Sequence, residues 1–362
     1  MSLLVMNEER LAAAFRLLDR ETKRKVTPGA VAVVSLAGRK YFHVAGRAVD
    51  TEETKIPATL GTIYDTASLT KTASTLPLIL ILLEQGELRL KDPVAYHLAE
   101  FGGNGKEEVT IRQLLTHTSG LRSHVNLHSH GWSAEQILAH VYEQELAAKP
   151  GERIEYSDLG YIVLGQLAAS RFGMPLDAAA RRYVYEPLGM SDTMFVPPVE
   201  FRGRIAATEW DDQTGAPLWG VVHDENARAM GGVCGHAGLF STAHDLSRYA
   251  DLWAGGGSVN GRRLFSEATV QAATRSWTHG LPGGRRGLGW SLKGDYWDAS
   301  GDLLSERCYG HTGFTGTSLY IDPDRELSVV LLTNRVHYGR GVSVVRLRDC
   351  FHNAVAACLE QQ

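Results

Sequence analysis

The most regular apolar patterns lie towards the two ends of the chain. Residues 29–49, GAVAVVSLAGRKYFHVAGRAV, alternate apolar and polar positions around a glycine-containing break. A period of two predicts a β-hairpin. Residues 318–336, SLYIDPDRELSVVLLTNRV, predict a second pair of strands around DPDRE. Two further segments have helical periodicity. Residues 1–25, MSLLVMNEERLAAAFRLLDRETKRK, are briefly apolar and then put Leu11, Phe15 and Leu18 on one helical face, while residues 342–362, VSVVRLRDCFHNAVAACLEQQ, return to that period.

Between these ends the pattern is helical and rich in loops. Helices are predicted within 110–121 (TIRQLLTHTSGL), 133–148 (SAEQILAHVYEQELAA) and 158–173 (DLGYIVLGQLAASRFG). Strands at both termini with helices between them predict an α/β protein of the α+β type. One antiparallel sheet is built from both chain ends and flanked by helices, and a mainly helical domain is inserted into it. The expected division is a discontinuous sheet domain, 1–74 and 271–362, and an inserted domain, 75–270, with a cleft between them.

Bulk properties narrow the function. The 362 residues are enough for a large core, and 44% apolar with 22% charged residues is ordinary for a globular protein. A formal charge of −4 gives no footprint for a polyanion, so nucleic acid is not an expected partner. No run of about 18 apolar residues is present to span a membrane. No signal peptide is visible, although the opening MSL also fits a scar left where a leader has been cut away. Cys234, Cys308, Cys350 and Cys358 are scattered without metal or redox spacing, which predicts reduced, mostly buried thiols and a cytoplasmic location.

Three short stretches carry chemistry. In TASLTKTAST (66–75), Ser68 and Lys71 stand three apart where an extended segment enters an apolar helix, so both side chains share a face and can exchange a proton. A plainer reading makes Ser68 a helix cap and Lys71 solvated. In GERIEYSDLGY (151–161), Tyr156 and Asp158 precede an apolar helix, which Asp158 can cap while Tyr156 packs. In CYGHTGFTGTSLYIDP (308–323), His311, Thr312 and Gly313 place small residues in a strand, where glycine often marks close approach of a backbone or ligand.

Taken in order, S-x-x-K, Y-x-[N/D] and [K/H]-T-G make the chain resemble the serine β-lactamase and penicillin-binding protein superfamily, in particular class C β-lactamase-like hydrolases and esterases. The resemblance runs over roughly residues 10–358 and is reinforced by VTIRQLLTHTSGL, YSDLGYIVLGQLA, GGVCGHAGLFSTAHDLSRY, RGLGW and GHTGFTGTSLYIDP. It implies the β-lactamase/transpeptidase-like fold and a serine hydrolase without metal or organic cofactor. Ser68 would be the nucleophile, Lys71 and Tyr156 the base system sharing a proton, and the backbone N–H groups of Ser68 and Phe314 the oxyanion hole. Physical chemistry supports such roles. A hydroxyl needs a neighbouring base to become a nucleophile, and burial is expected to lower the lysine pKa.

Two positions depart from that pattern. Asp158 stands where the nearest lactamases have an asparagine, and His311 where they have a lysine, which removes a fixed cation facing a substrate carboxylate. Both shift the expectation from efficient β-lactamase towards ester, amide or peptide hydrolysis. A true β-lactamase, a D-alanyl carboxypeptidase and a sensor that acylates without turnover are the alternatives. An imidazole at 311, unperturbed, is expected to titrate near 6.5 and so to read substrate charge. The loop 220–241 (GVVHDENARAMGGVCGHAGLFS), with His223, Asp224 and His236, either positions the cleft or only satisfies its own backbone. His117, His124, His128 and His130 lack both helical pattern and a nearby carboxylate, which favours a loop over the cleft rather than a metal site.

Overall fold

In the computed structural model, which describes residues 4–361, the two ends of the chain meet in one seven-stranded antiparallel sheet. Its strands are β1 (Gly29–Leu36), β2 (Arg39–Asp50), β3 (Lys55–Pro57), β4 (Ser291–Leu292), β5 (Tyr309–Thr312), β6 (Ser318–Asp322) and β7 (Leu327–Thr333), in the spatial order β4-β5-β6-β7-β1-β2-β3. The join is β7 against β1, from Leu327 opposite Leu36 to Thr333 opposite Ala30. Both expected hairpins form. In the first, Ala37 and Gly38 take φ of 49° and 82°, the left-handed pair that matches a two-residue turn to the twist of its strands.

The principal helices are α1 (Glu8–Lys23), α2 (Leu76–Glu84), α3 (Asp158–Phe172), α4 (Ala243–Ala254) and α5 (Val345–Ala356). They cover both faces of the sheet centre. Ala30, Ala32, Val34 and Leu36 of β1, with Leu327, Val329 and Leu331 of β7, share a core with α1 and α5. Val31 and Val33, with Val330 and Leu332, face the larger core that holds α2, α3 and α4. With both faces covered, β1 is buried throughout and polar alternation fades from it. Leu11, Phe15 and Leu18 of α1 are buried as their spacing predicts.

Some segments differ from the pattern. The predicted helix in 110–121 is only Ile111–Leu115, opened by a Thr110–Gln113 capping box. The chain then leaves helical geometry at His117, φ 58°, because its backbone carbonyl and ring are taken by Glu155 and Ser157. The helix in 133–148 spans Ala134–Glu143. After α5, Leu359–Gln361 forms a strand with Leu4–Met6 instead of continuing the helix, as the termini lie side by side.

One close approach fixes the site. Gly165 of α3 touches Gly235, where a Cβ would lie 2.0 Å from the Tyr161 carbonyl oxygen and 2.8 Å from the Gly165 Cα. Gly235→Ala is therefore expected to push the 231–241 loop off α3 and cost roughly 1–3 kcal/mol, as overpacking does. Thermal unfolding should show the loss. Ester turnover should fall with it, because the neighbouring His236 carbonyl is a partner of Lys71.

Candidate active site

Ser68 sits half-buried on a turn that leads into α2, and residues Lys71–Thr75 form a wider, π-helical turn ahead of it. Such turns recur at functional sites. Ala67, immediately before Ser68, has φ 48°, a conformation held by its N–H donating to the Asp65 Oδ1 at 2.8 Å.

Lys71 is fully buried, and its ammonium has three partners. Nζ donates to the Ser68 Oγ at 3.0 Å and to the His236 carbonyl at 3.0 Å, and lies 2.7 Å from the Asp158 Oδ1. Its Nζ is also 5.0 Å from the Tyr156 ring centre. Burial works to lower the lysine pKa, but the Asp158 carboxylate and then Tyr156 outweigh it, and Lys71 is held well above its ordinary value. The expected depression does not occur, because Asp158 is the counter-ion of the ammonium. Asp158 is free for this because Ser157, not Asp158, caps α3 by accepting from the Gly160 N–H.

Two imidazoles flank Tyr156, and both are neutral. His117 lies 4.4 Å from the Tyr156 ring, centre to centre, and accepts at Nδ1 from the Ser157 N–H at 3.0 Å, which leaves its proton on Nε2. His311, 6.0 Å from that ring, donates from Nδ1 to the Thr312 carbonyl at 2.8 Å. Burial, followed by the charges of Arg286 and Lys71, pushes both far below 6.5. The expectation that His311 titrates near 6.5 is thereby overturned. It stays uncharged at neutral pH.

A buried cation nearby is Arg286. Its side chain is 1% exposed and forms an ion pair with Asp295 at 3.0 Å, yet Nε, Nη1 and Nη2 have no hydrogen-bond partner. Asp295 is already used by the Ser291 hydroxyl and by the backbone N–H groups of Trp297 and Arg285. Arg286 lines a cavity of about 630 Å³ together with Ser68, Tyr156, His311, Thr312, Gly313 and Phe314.

The strand end at 312–317 is stapled to the nucleophile turn. Thr315 and Thr317 hydroxyls donate to the carbonyls of Asp65 and Thr66 at 2.7 and 2.9 Å. A Cβ on Gly313 would lie 2.4 Å from the Thr66 oxygen, so only glycine lets the two backbones come this close. Among the described residues, the N–H groups of Ser68 and Phe314 have no partner.

The 220–241 loop satisfies its own backbone and also reaches Lys71. The Asp224 carboxylate caps the short helix Glu225–Ala229 and accepts from the His236 Nε2 at 2.9 Å, while the His236 carbonyl meets Lys71. Asp158, Asp224 and His236 each bring a possible metal donor within 4.8 Å of the others. The cation among them is the Lys71 ammonium, and His236 is already bonded to Asp224. Of the histidine cluster, His117 is buried behind Tyr156, while His124, His128 and His130 are on the exposed loop. His124 reaches 4.0 Å from Asp158. All four cysteines are unpaired.

Comparisons with known proteins give the family and the fold. The profile of the family described as Beta-lactamase matches residues 14–349. A provisionally named D-alanyl-D-alanine carboxypeptidase of Escherichia coli (strain K12) is 34% identical over 314 residues, 79% of this chain and 72% of that protein. A penicillin-binding protein homologue from Caulobacter crescentus superposes with a TM-score of 0.78 at 21% identity, covering 98% of this chain and 99% of that one. EstCE1, a hydrolase with promiscuous acyltransferase activity, superposes at 0.76 and 24% identity over 96% of this chain and 99% of its own. The chain belongs to the β-lactamase family and is a serine hydrolase of the β-lactamase/transpeptidase-like fold.

Arg286 was not singled out from the sequence as a site residue. It stands at the head of RGLGW as one arginine among many, and nothing local marks it as buried.

The Asp224–His236 pair has a pH signature. Burial raises Asp224 and lowers His236, but their mutual attraction dominates, so Asp224 ends well below 3.8 and His236 well above 6.5. The Asp224 contribution to stability is present above pH 3.8 and lost as pH falls through its depressed pKa. The His236 contribution is complete below pH 6.5 and lost as pH rises through its elevated pKa. The difference in Tm between the unmodified protein and His236→Gln should be greatest between about pH 4 and 6.5 and shrink on either side.

Proposed function

We propose that the protein hydrolyses small-molecule esters or amides through an acyl-enzyme on Ser68. The observation that carries this reading is the Ser68 Oγ held 3.0 Å from the buried Lys71 ammonium, itself paired with Asp158 at 2.7 Å. The Ser68 Oγ would attack the carbonyl while its proton enters the unit of Lys71, Tyr156 and Asp158. Lys71 accepts that proton as it passes one of its own to the Asp158 carboxylate, or to Tyr156 where that stands as the phenolate. The N–H groups of Ser68 and Phe314 would bind the oxyanion, and water would release the acyl group by the reverse transfer. Thr312 and Gly313 would form the wall along which the substrate lies.

A carboxylate near the scissile carbonyl is the preferred substrate feature in this reading, with Arg286 taking the part that a lysine at 311 would have played. Its side chain lines the Ser68 cavity, and its guanidinium lies 5.6 Å from the Tyr156 ring centre. In this reading the cleft would lie between a sheet domain, 1–74 and 271–362, and a domain inserted at 75–270. A charge of −4 argues against nucleic acid as a partner, and the unpaired thiols favour the cytoplasm. No helix among the described residues is long and apolar enough to cross a membrane.

Ser68→Ala should abolish p-nitrophenyl acetate hydrolysis and labelling by a fluorescent penicillin or a fluorophosphonate, and intact mass should give one adduct, on the Ser68 peptide. An adduct elsewhere overturns the assignment. Stable penicillin labelling without any turnover would make the protein a sensor, and fast penicillin hydrolysis a β-lactamase. Arg286→Met should lower kcat/KM for a carboxylate-bearing ester, relative to its neutral methyl ester, by roughly 10- to 100-fold, since a hydrogen bond to a charged group is worth about 1.5–3 kcal/mol. An unchanged ratio removes Arg286 from substrate recognition.

A further inference from the structure

The Gly313–Phe314 peptide has a second side. Its N–H is the proposed oxyanion donor, and its carbonyl accepts from the Arg348 Nη2 at 2.8 Å. Arg348 belongs to α5, where it is buried at the edge of the cavity that holds Ser68, and the same Nη2 donates to the Thr317 carbonyl at 2.8 Å. Its Nε has no partner. The Gly313 carbonyl also accepts from the Gly316 N–H at 3.1 Å, and the Gly313 N–H donates to the Thr317 carbonyl at 2.7 Å. The turn is therefore closed by its own backbone, and the guanidinium adds a charge to a peptide whose direction is already set.

We infer that Arg348 is a positioning residue that polarises the Gly313–Phe314 peptide and so strengthens its N–H as an oxyanion donor. In a planar trans peptide the C=O and N–H point in opposite directions. A cation on the oxygen draws electron density through the amide and leaves the hydrogen, on the far side, more positive. Buried hydrogen bonds polarise one another in this way, and the low local dielectric enlarges the effect. Burial, opposed by Tyr320, lowers the Arg348 pKa to about 10, which leaves the side chain cationic at neutral pH. The interaction gains most when negative charge develops at the substrate oxygen, so it acts on the transition state rather than on substrate binding.

The inference rests on Ser68 as nucleophile and the Phe314 N–H as oxyanion donor, and the test separates the two levels. Arg348→Gln keeps a donor for the Gly313 carbonyl without the charge, and Arg348→Lys keeps the charge. With p-nitrophenyl acetate, the Gln variant should lose kcat on the order of 10-fold with KM little changed, less than deleting an oxyanion donor outright. Its inhibition constant for an aryl trifluoromethyl ketone, which forms an oxyanion on the serine, should weaken by the same factor. The Lys variant should recover most of both losses. Equal kcat and inhibition constants in the Gln variant and the unmodified protein would overturn the inference. So would equal losses in the Gln and Lys variants, or a fall in kcat with the ketone unaffected. A fluorophosphonate that labels these variants at Ser68 keeps the parent reading intact whichever way the Arg348 result falls, whereas labelling elsewhere would overturn that reading first.

Discussion

A fully buried ammonium is the constraint around which the site is arranged. Lys71 has no access to water, so each of its N–H directions must find a protein acceptor, and it finds the Ser68 hydroxyl, the His236 carbonyl and the Asp158 carboxylate. Each partner comes from a different part of the chain. Ser68 stands on the turn before α2, Asp158 begins α3, and His236 sits on a loop seated against α3 through the Gly165–Gly235 contact. Packing of these elements and the chemistry of Ser68 are thus one problem. A change that moves the loop leaves an ammonium partly unpaired inside the protein.

The same cation sets the character of the neighbouring groups. With the charges of Lys71 and Arg286 near them and water excluded, His117 and His311 remain neutral, and the Nε2 of each has no partner. In the proposed reading, charge recognition passes from position 311 to Arg286, whose own counter-ion Asp295 is already committed to three other donors. The H-T-G sequence by itself reads as the loss of a cation. In space, the cation arrives from the strand-side turn before β4.

The proposed oxyanion side is held together in a similar way. Threonine hydroxyls at 315 and 317 tie the end of β5 to the carbonyls just before Ser68, and Gly313 permits the contact. Two backbone donors from distant parts of the sequence therefore share one rigid support, which is what electrostatic preorganisation requires. Arg348 joins α5, and through it the opposite face of the sheet, to that support.

Much of this was legible in the residues. The hairpins 29–49 and 318–336, the amphipathic α1 and the span of α3 follow from period and capping chemistry, which depend on near neighbours. The ordered motifs around Ser68, Tyr156 and His311 marked the proposed nucleophile, its proposed base system and the strand beside them, because such chemistry needs particular side chains at particular local spacings. Local sequence could not show that Ser157 would cap α3 and release Asp158 to Lys71, nor that burial would be overruled and the lysine held charged. It could not show that His311 would be silent, or that Arg286 and Arg348 would be drawn inside. Those outcomes are set by sums of desolvation and Coulomb terms over groups tens to hundreds of residues apart, and such sums exist only once the chain has folded.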